Sequence, residues 1–270
     1  MTALERPLPS VVSVWRTRAG VELKEFFRQR ESVVFTLAFP VILLLVFGAV
    51  LKYDIGFGVT FTQYFMAGVI AAGILGAGLQ NMAINIATER SDGTLKGLAG
   101  TPMPKSAYFV GKVVQVLAVT LAVVVILLAV GAVFYHVSLP AGSDWFTFLW
   151  VAVLGSAACT LLGIAISSLA KNGRSASATV TPIALVLQFI SGVFFLFSQV
   201  PTWLQTVASF FPLKWMAQGL RSVFLPDQLA AQEPAGSWEL GRVALVLAIW
   251  CVAGLVLCVL TFRWQEKGDR

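Results

Sequence analysis

The side chains in this sequence that are able to do chemistry are few, and their counts and spacing exclude most reactions. His136 is the only histidine, so a multi-histidine metal site cannot form, and no Gly-x-Ser-x-Gly turn accompanies it to present a serine nucleophile. Cys159, Cys251 and Cys258 sit inside apolar runs, where they behave as small hydrophobes and build no disulfide framework. No Gly-x-x-x-x-Gly-Lys-Ser/Thr loop occurs, so the chain lacks the usual cradle for nucleotide phosphates. Any ATP must be hydrolysed by another polypeptide. What remains is uncharged and polar: Gln80, Asn81, Asn85, Gln115 and Gln188, the last followed by Phe189. Asn81 and Asn85 lie one helical turn apart. Amides in such apolar surroundings either bond a neighbouring helix or line a path for cargo, and the spacing leaves both open.

The elements that hold these amides follow from composition. Of 270 residues 58% are hydrophobic and 12% charged, half the charge of an ordinary soluble domain, and the mean hydropathy is +0.84. This excludes a soluble enzyme, a nucleic-acid-binding module and a secreted disulfide scaffold. Six runs are each long enough to cross a hydrocarbon core about 30 Å thick: residues 33–52, 61–87, 109–134, 145–170, 178–197 and 241–262. The expected fold is therefore an all-α polytopic membrane protein with six transmembrane helices between residues 32 and 264. No Asp or Glu interrupts a span, which weighs against the carboxylate relays of ion-driven carriers. Glycines Gly73, Gly76 and Gly78 in the second span, and the Gly155, Cys159, Gly163, Ser167 stripe in the fourth, suit close helix packing.

Six crossings put both termini on one side, and the basic residues say which. Arg6, Arg16, Arg18, Lys24, Arg28, Arg30, Arg90, Lys96, Lys105, Lys112, Lys171, Arg174, Arg263, Lys267 and Arg270 fall on one side; only Lys52, Lys214, Arg221 and Arg242 fall on the other. By the positive-inside rule both termini are cytoplasmic in a plasma membrane, with 265–270 as a cytoplasmic tail. The first 31 residues carry no short apolar core behind Met1, so no cleavable leader is expected. Within them Val12, Trp15, Ala19, Leu23, Phe26 and Phe27 recur at helical spacing, with Arg18, Lys24, Glu25 and Arg28 on the opposite arc. This is an amphipathic interface helix, serving as an anchor or as a docking element.

Two segments outside the spans stand out. Residues 88–107 form a cytoplasmic loop in which Thr94 to Ala99 make one short helix. Leu95 and Leu98 share a face there as an apolar knob flanked by Glu89, Arg90 and Asp92. Residues 199–225 break at Pro201 and Pro212 into two apolar pieces too short to span, an extracellular re-entrant helical hairpin between the fifth and sixth spans. The loop is either a docking element or a solvated connector; the hairpin is either a gate or a lid.

The block Glu-Arg-Ser-Asp-Gly-Thr-Leu-Lys-Gly-Leu-Ala-Gly-Thr-Pro from Glu89 resembles the permease subunits of the type-2 ATP-binding-cassette exporters, of the drug or lipid export type. So does the series Ser-Gly-Val-Phe-Phe, Pro-Thr-Trp-Leu-Gln, Phe-Pro and Gly-Leu-Arg that ends at Arg221. Lys96 departs from the acidic residue common at that place. The resemblance implies that Glu89, Arg90, Asp92, Gly93, Thr94, Leu95, Leu98, Thr101 and Pro102 couple to a separate ATPase. It implies too that ATP and Mg bind only to that partner, and that a second permease copy or paralogue completes the unit. An amphiphilic cargo would pass outward along Gln80, Asn81, Asn85, Gln115, Gln188 and Phe189, beneath a gate containing Pro201, Trp203, Leu204, Pro212 and Arg221. A non-transporting scaffold and an ion-driven carrier are the rival readings.

Overall fold

The computed structural model describes residues 10–262; the expected tail at 265–270, and Arg6, Arg263, Lys267 and Arg270 from the charge count, lie outside them. Helices and turns account for the described residues, with one isolated bridge between Asp54 and Thr60. Helix α1 is Val11–Arg28, opened by the Ser10 hydroxyl, which accepts from the Ser13 N–H at 3.3 Å. A single residue, Gln29, separates it from α2, Arg30–Val50. The next rod is α3, Phe61–Leu75, a π-helical segment at Gly76–Gln80 and α4, Asn81–Ser91. Short α5 is Thr94–Ala99, α6 is Lys105–Tyr135 and α7 is Asp144–Ser167. Helix α8 is Gly173–Ile190, α9 Thr202–Phe210, α10 Pro212–Phe224 and α11 Leu240–Thr261.

Five helices are long and apolar enough to cross a membrane: α2, the continuous rod Phe61–Ser91, α6, α7 and α11. The rod is the axis of the bundle. In its most apolar window 72% of residues are buried, against 17% in α2 and 22% in α11, which leaves those two to face outward. Around it pack α2, α6, α7 and α10, through Phe61, Phe65, Met66, Ile70 and Ile74. The π segment adds one residue to the rod, the Asn81 N–H reaching back to the Gly76 carbonyl. An added residue rotates the face beyond it by about 100°.

The fifth expected span differs from the structure. It is displaced from 178–197 to Gly173–Ile190, because Asn172 and Ser175 form a capping box at its start, with Ser175 N–H donating to Asn172 Oδ1 at 2.9 Å. At its end Gly192 adopts φ +72°, and the chain turns. A Cβ there would lie 2.8 Å from that of Phe197, so the turn requires glycine. Arg174, Ser175, Ser177, Thr179 and Thr181 dilute the hydropathy of α8, yet it runs from one end of the bundle to the other. Smaller shifts affect the rest: the second span extends to Ser91, and the third begins at Lys105, four residues before its expected start, which places Lys112 two turns inside the helix. Thus 88–91 of the expected loop is helical.

The glycine rows meet as small residues should. A Cβ on Gly163 would stand 2.6 Å from the Gly78 carbonyl oxygen, one on Gly78 would stand 2.8 Å from Cys159 Cβ, and one on Gly73 would stand 2.6 Å from Val123 Cγ1. The π segment is therefore pressed backbone to backbone against α7. Phe262 packs on Phe109 beside α1, so both described ends of the chain lie at one end of the bundle. That end carries Arg18, Arg90, Lys105 and Lys112 and is called here the basic end.

Candidate functional site

At the basic end, α1 lies along the start of α6. Its buried face is not purely apolar. Glu22 is 1% exposed and its Oε2 accepts from Lys112 Nζ at 2.7 Å, while Lys112 also donates to Glu89 Oε1. Tyr108 Oη donates to Glu89 Oε2 at 2.7 Å, and Arg18 pairs with Glu22. Two carboxylates and two cations thus neutralise one another across α1, α4 and α6. Arg18 belongs to this packed face and not to the solvent arc expected for it, because Glu22, one turn on, draws it in. Sequence reading missed Glu22, Tyr108 and Lys112 as a group. The available signal was Lys112 itself, a cation inside an apolar helix that demands a partner.

The segment after α4 is mounted on this network. Glu89 is buried within it and does not flank an exposed knob. Arg90 Nη2 donates to the carbonyls of Ser167 at 2.5 Å and Ala170 at 2.6 Å, tying α4 to the end of α7. Gly93 takes φ +83°, and Asp92 Oδ1 accepts from the Thr94 N–H at 2.9 Å to start α5. The expected apolar knob is corrected here: Leu95 is fully buried among Met82, Ile86 and Tyr108, and Leu98 is half-buried beside it. Both hold α5 down, because a six-residue helix has too few hydrogen bonds to stand alone. The exposed face consists instead of Asp92, Gly93, Thr94, Lys96, Gly97, Ala99, Gly100, Thr101 and Pro102. It is a low platform of small residues.

Between α2 and α8, which stand apart on either side of the central rod, a cleft of about 620 Å³ opens. Four of the six expected path residues, Gln80, Asn81, Asn85 and Gln188, line it together with Thr36, Ser177 and Thr181. Phe35, Phe39, Leu43 and Leu185 supply its apolar wall. Asn81 Nδ2 donates to Thr36 Oγ1 at 3.3 Å across the floor, so one amide bonds a neighbour and lines the cleft at once. Gln115 is buried elsewhere in α6, and Phe189 is half-exposed outside the lining. The π segment, invisible to a periodicity argument, is the feature that places Gly76, Gln80 and Asn81 on the cleft floor.

An aromatic cluster continues from the walls of the cleft. One turn beyond Leu43 on α2 stands Phe47, and one turn beyond Val69 on α3 stands Phe65; their rings stack at 4.9 Å. Phe194, from the turn after α8, fits against both at 5.9 and 6.1 Å and against Phe189 at 4.7 Å. None of these rings lines the cleft; the cluster packs beyond its end away from the basic end.

Over that far end lie α9 and α10. Pro201 and Trp203 are exposed, Leu204 is half-buried and Pro212 opens α10 at its first turn. Arg221 is completely buried: Nε donates to Glu233 Oε1 at 2.8 Å, and the guanidinium lies 4.9 Å from the Tyr64 ring centre. Tyr64 Oη in turn accepts the Phe197 N–H at 2.9 Å. Burial pulls the Lys214 ammonium down to about 8; its Nζ donates to Gln218 Oε1 at 2.5 Å. The five expected gate residues are thus split between an exposed α9 edge and a locked interior.

Among the described residues, Glu22, Glu25 and Glu89 are the one carboxylate group close enough to share a metal ion. Lys112 already occupies the space between Glu22 and Glu89.

The profile of the ABC-2 family transporter proteins matches residues 58–261. The chain is similar to the probable multidrug ABC transporter permease YbhR of Escherichia coli K12, 26% identical over 145 residues. The same protein from Escherichia coli O157:H7 matches equally. The match covers 54% of this chain and 39% of those relatives, so the chain corresponds to well under half of their length.

Proposed function

Since the chain belongs to the ABC-2 family of transporter proteins, we propose that it is the membrane subunit of an exporter that moves an amphiphilic or hydrophobic cargo outward. The energy comes from a separate ATPase subunit. The observation that carries this reading is the cleft, which is lined by uncharged amides facing aromatic and aliphatic walls, with the Phe47, Phe65 and Phe194 cluster packed beyond the end away from the basic end. Such a lining suits a molecule with both polar and apolar parts.

In this reading α8 is a sixth membrane crossing, and the basic end faces the cytoplasm of a plasma-membrane protein. Helices α9 and α10 form a re-entrant hairpin over the outer end. The ATPase seats on the platform from Asp92 to Pro102, and a second permease copy or paralogue faces the open side of the cleft. Binding and closure of the ATPase pair change the relative stability of the two permease arrangements. The platform transmits this because Glu89, Lys112 and Glu22 make α1, α4 and α6 one unit. ATP and Mg are held by the partner alone.

The test is ATP-driven uptake of a lipophilic fluorescent dye into inverted membrane vesicles containing the chain and its ATPase, since outward export becomes inward there. Gln80→Leu with Gln188→Leu is expected to reduce uptake several-fold while leaving the ATPase bound. ATP-independent uptake, or uptake unaltered by the double change, would contradict the reading.

A further inference from the structure

The cleft's lining contains one ionisable side chain, Glu31. It stands in the first turn of α2, at the basic end of the cleft, with Ser32, Phe35 and Thr36 leading inward from it. Glu31 is exposed, and among the described residues no ion pair or side-chain hydrogen bond engages its carboxylate, as is also true of Glu25 and Asp144, neither of which lines the cleft; Glu22, Glu89, Glu233 and Glu239 are paired. Arg28, Arg30 and Arg174 lie nearby in sequence or on the facing helix, but none of them lines the cleft. A carboxylate near a helix start is also favoured by the helix dipole. That accounts for its position on α2 and makes no demand on the cargo.

From this placement we infer that Glu31 is a specificity-determining residue that makes the cleft select cationic over anionic amphiphiles. The inference rests on the reading of the cleft as the cargo path and deepens it. A cation entering past Glu31 keeps an unshared counter-charge at the mouth while its apolar part reaches the Phe35 and Phe39 wall. An anion of the same shape meets repulsion and finds no lining cation in compensation. The amides further in, Gln80, Asn81, Asn85 and Gln188, serve either sign through their two kinds of polar atom, so discrimination falls to the mouth. A pair of unit charges about 4 Å apart interacts between the bulk-water and near-surface limits strongly enough for about tenfold discrimination.

The experiment uses the full chain in lipid nanodiscs, without ATPase, and two probes of almost equal size and opposite charge, tetraphenylphosphonium and tetraphenylborate. Uptake by protein-free nanodiscs of the same lipid is subtracted, and each probe is compared with itself across variants so that its membrane partitioning cancels. Glu31→Gln is expected to weaken tetraphenylphosphonium binding about tenfold and to leave or improve tetraphenylborate binding; Glu31→Lys should reverse the preference. Asp144→Asn, which removes the same charge at the far end of the bundle, should change neither. Tetraphenylphosphonium binding that is displaced by Gln188→Leu yet unaltered in Glu31→Gln overturns the charge selection and leaves the cargo path standing. Failure of both probes to bind the wild-type chain overturns both. Equal weakening by Asp144→Asn would reduce the effect to net charge and overturn the role given to Glu31.

Discussion

Lys112 Nζ reaches two carboxylates at once, donating to Glu22 Oε2 at 2.7 Å and to Glu89 Oε1. One ammonium on α6 thereby joins the helix that precedes the first span to the helix that carries the exposed platform. Removing it would leave two buried carboxylates without their shared cation, a more serious loss than removing the whole group.

Lys112→Met is therefore expected to destabilise the protein by about 3–5 kcal/mol. Glu22→Gln and Glu89→Gln added to it should recover much of that loss, because no charge is then stranded. Thermal unfolding of the purified variants in one detergent measures both. Equal melting of Lys112→Met and wild type would show that the network does not bind α1 to α6.

At the crossing of the π segment and α7 the space is already full. Gly163→Ala places its methyl 2.6 Å from the Gly78 carbonyl oxygen, and about 1–3 kcal/mol of overpacking should follow. Gly97→Ala is the counter-case: nothing lies within 4 Å of its added methyl, and a glycine inside a helix gives up about 0.5–1 kcal/mol relative to alanine. The same melting series should rank Gly97→Ala above wild type and Gly163→Ala below it.

How far the sequence foretold these relationships varies by residue. Hydropathy places the five most apolar rods to within a few positions, because a run such as Val113 to Phe134 has no alternative to an apolar environment; the more polar α8 is displaced from its expected bounds. The glycine rows announced their close crossing for the same reason. Four amides of the cleft were legible as polar exceptions in apolar helices; Gln115 satisfied the same criterion yet lies elsewhere, since polarity does not reveal which neighbour a helix face meets. Leu95 and Leu98 at i, i+3 correctly signalled a shared apolar face, but spacing does not say whether such a face looks toward water or toward the bundle. The π segment and the joining of Glu22 to Lys112 depend on contacts between residues far apart in sequence, which no local pattern encodes.

The aromatic cluster beyond the end of the cleft is expected to restrict access to Gln188 from that side. Phe194 is 4% exposed and touches Phe47, Phe65 and Phe189. In a chain whose Cys159, Cys251 and Cys258 are replaced by alanine, Gln188→Cys should resist a membrane-impermeant maleimide added from the side opposite the basic end. Phe194→Ala should make it react several-fold faster. Unchanged labelling would mean that the cluster does not close the cleft.

Arg221 and Glu233 repeat the logic of the buried pair at the far end. Arg221→Met leaves Glu233, 5% exposed at its side chain, without a counter-charge, and a loss of about 3–5 kcal/mol is expected. Addition of Glu233→Gln should reduce that loss. If the single and double variants melt alike, the pair contributes little to holding α10 in place.

The exposed face from Asp92 to Pro102 is the proposed seat of an ATPase. The most direct measurement purifies the tagged chain from its native host in mild detergent, identifies the bound polypeptides by mass spectrometry and assays ATP hydrolysis. The wild-type chain should retain, in stoichiometric amount, a subunit with a phosphate-binding loop. Gly97→Trp, which fills the open space above α5 without entering the core, should lose that subunit and its hydrolysis while melting like the wild type. Retention of the ATPase by a well-folded Gly97→Trp chain would show that the ATPase does not seat on this face.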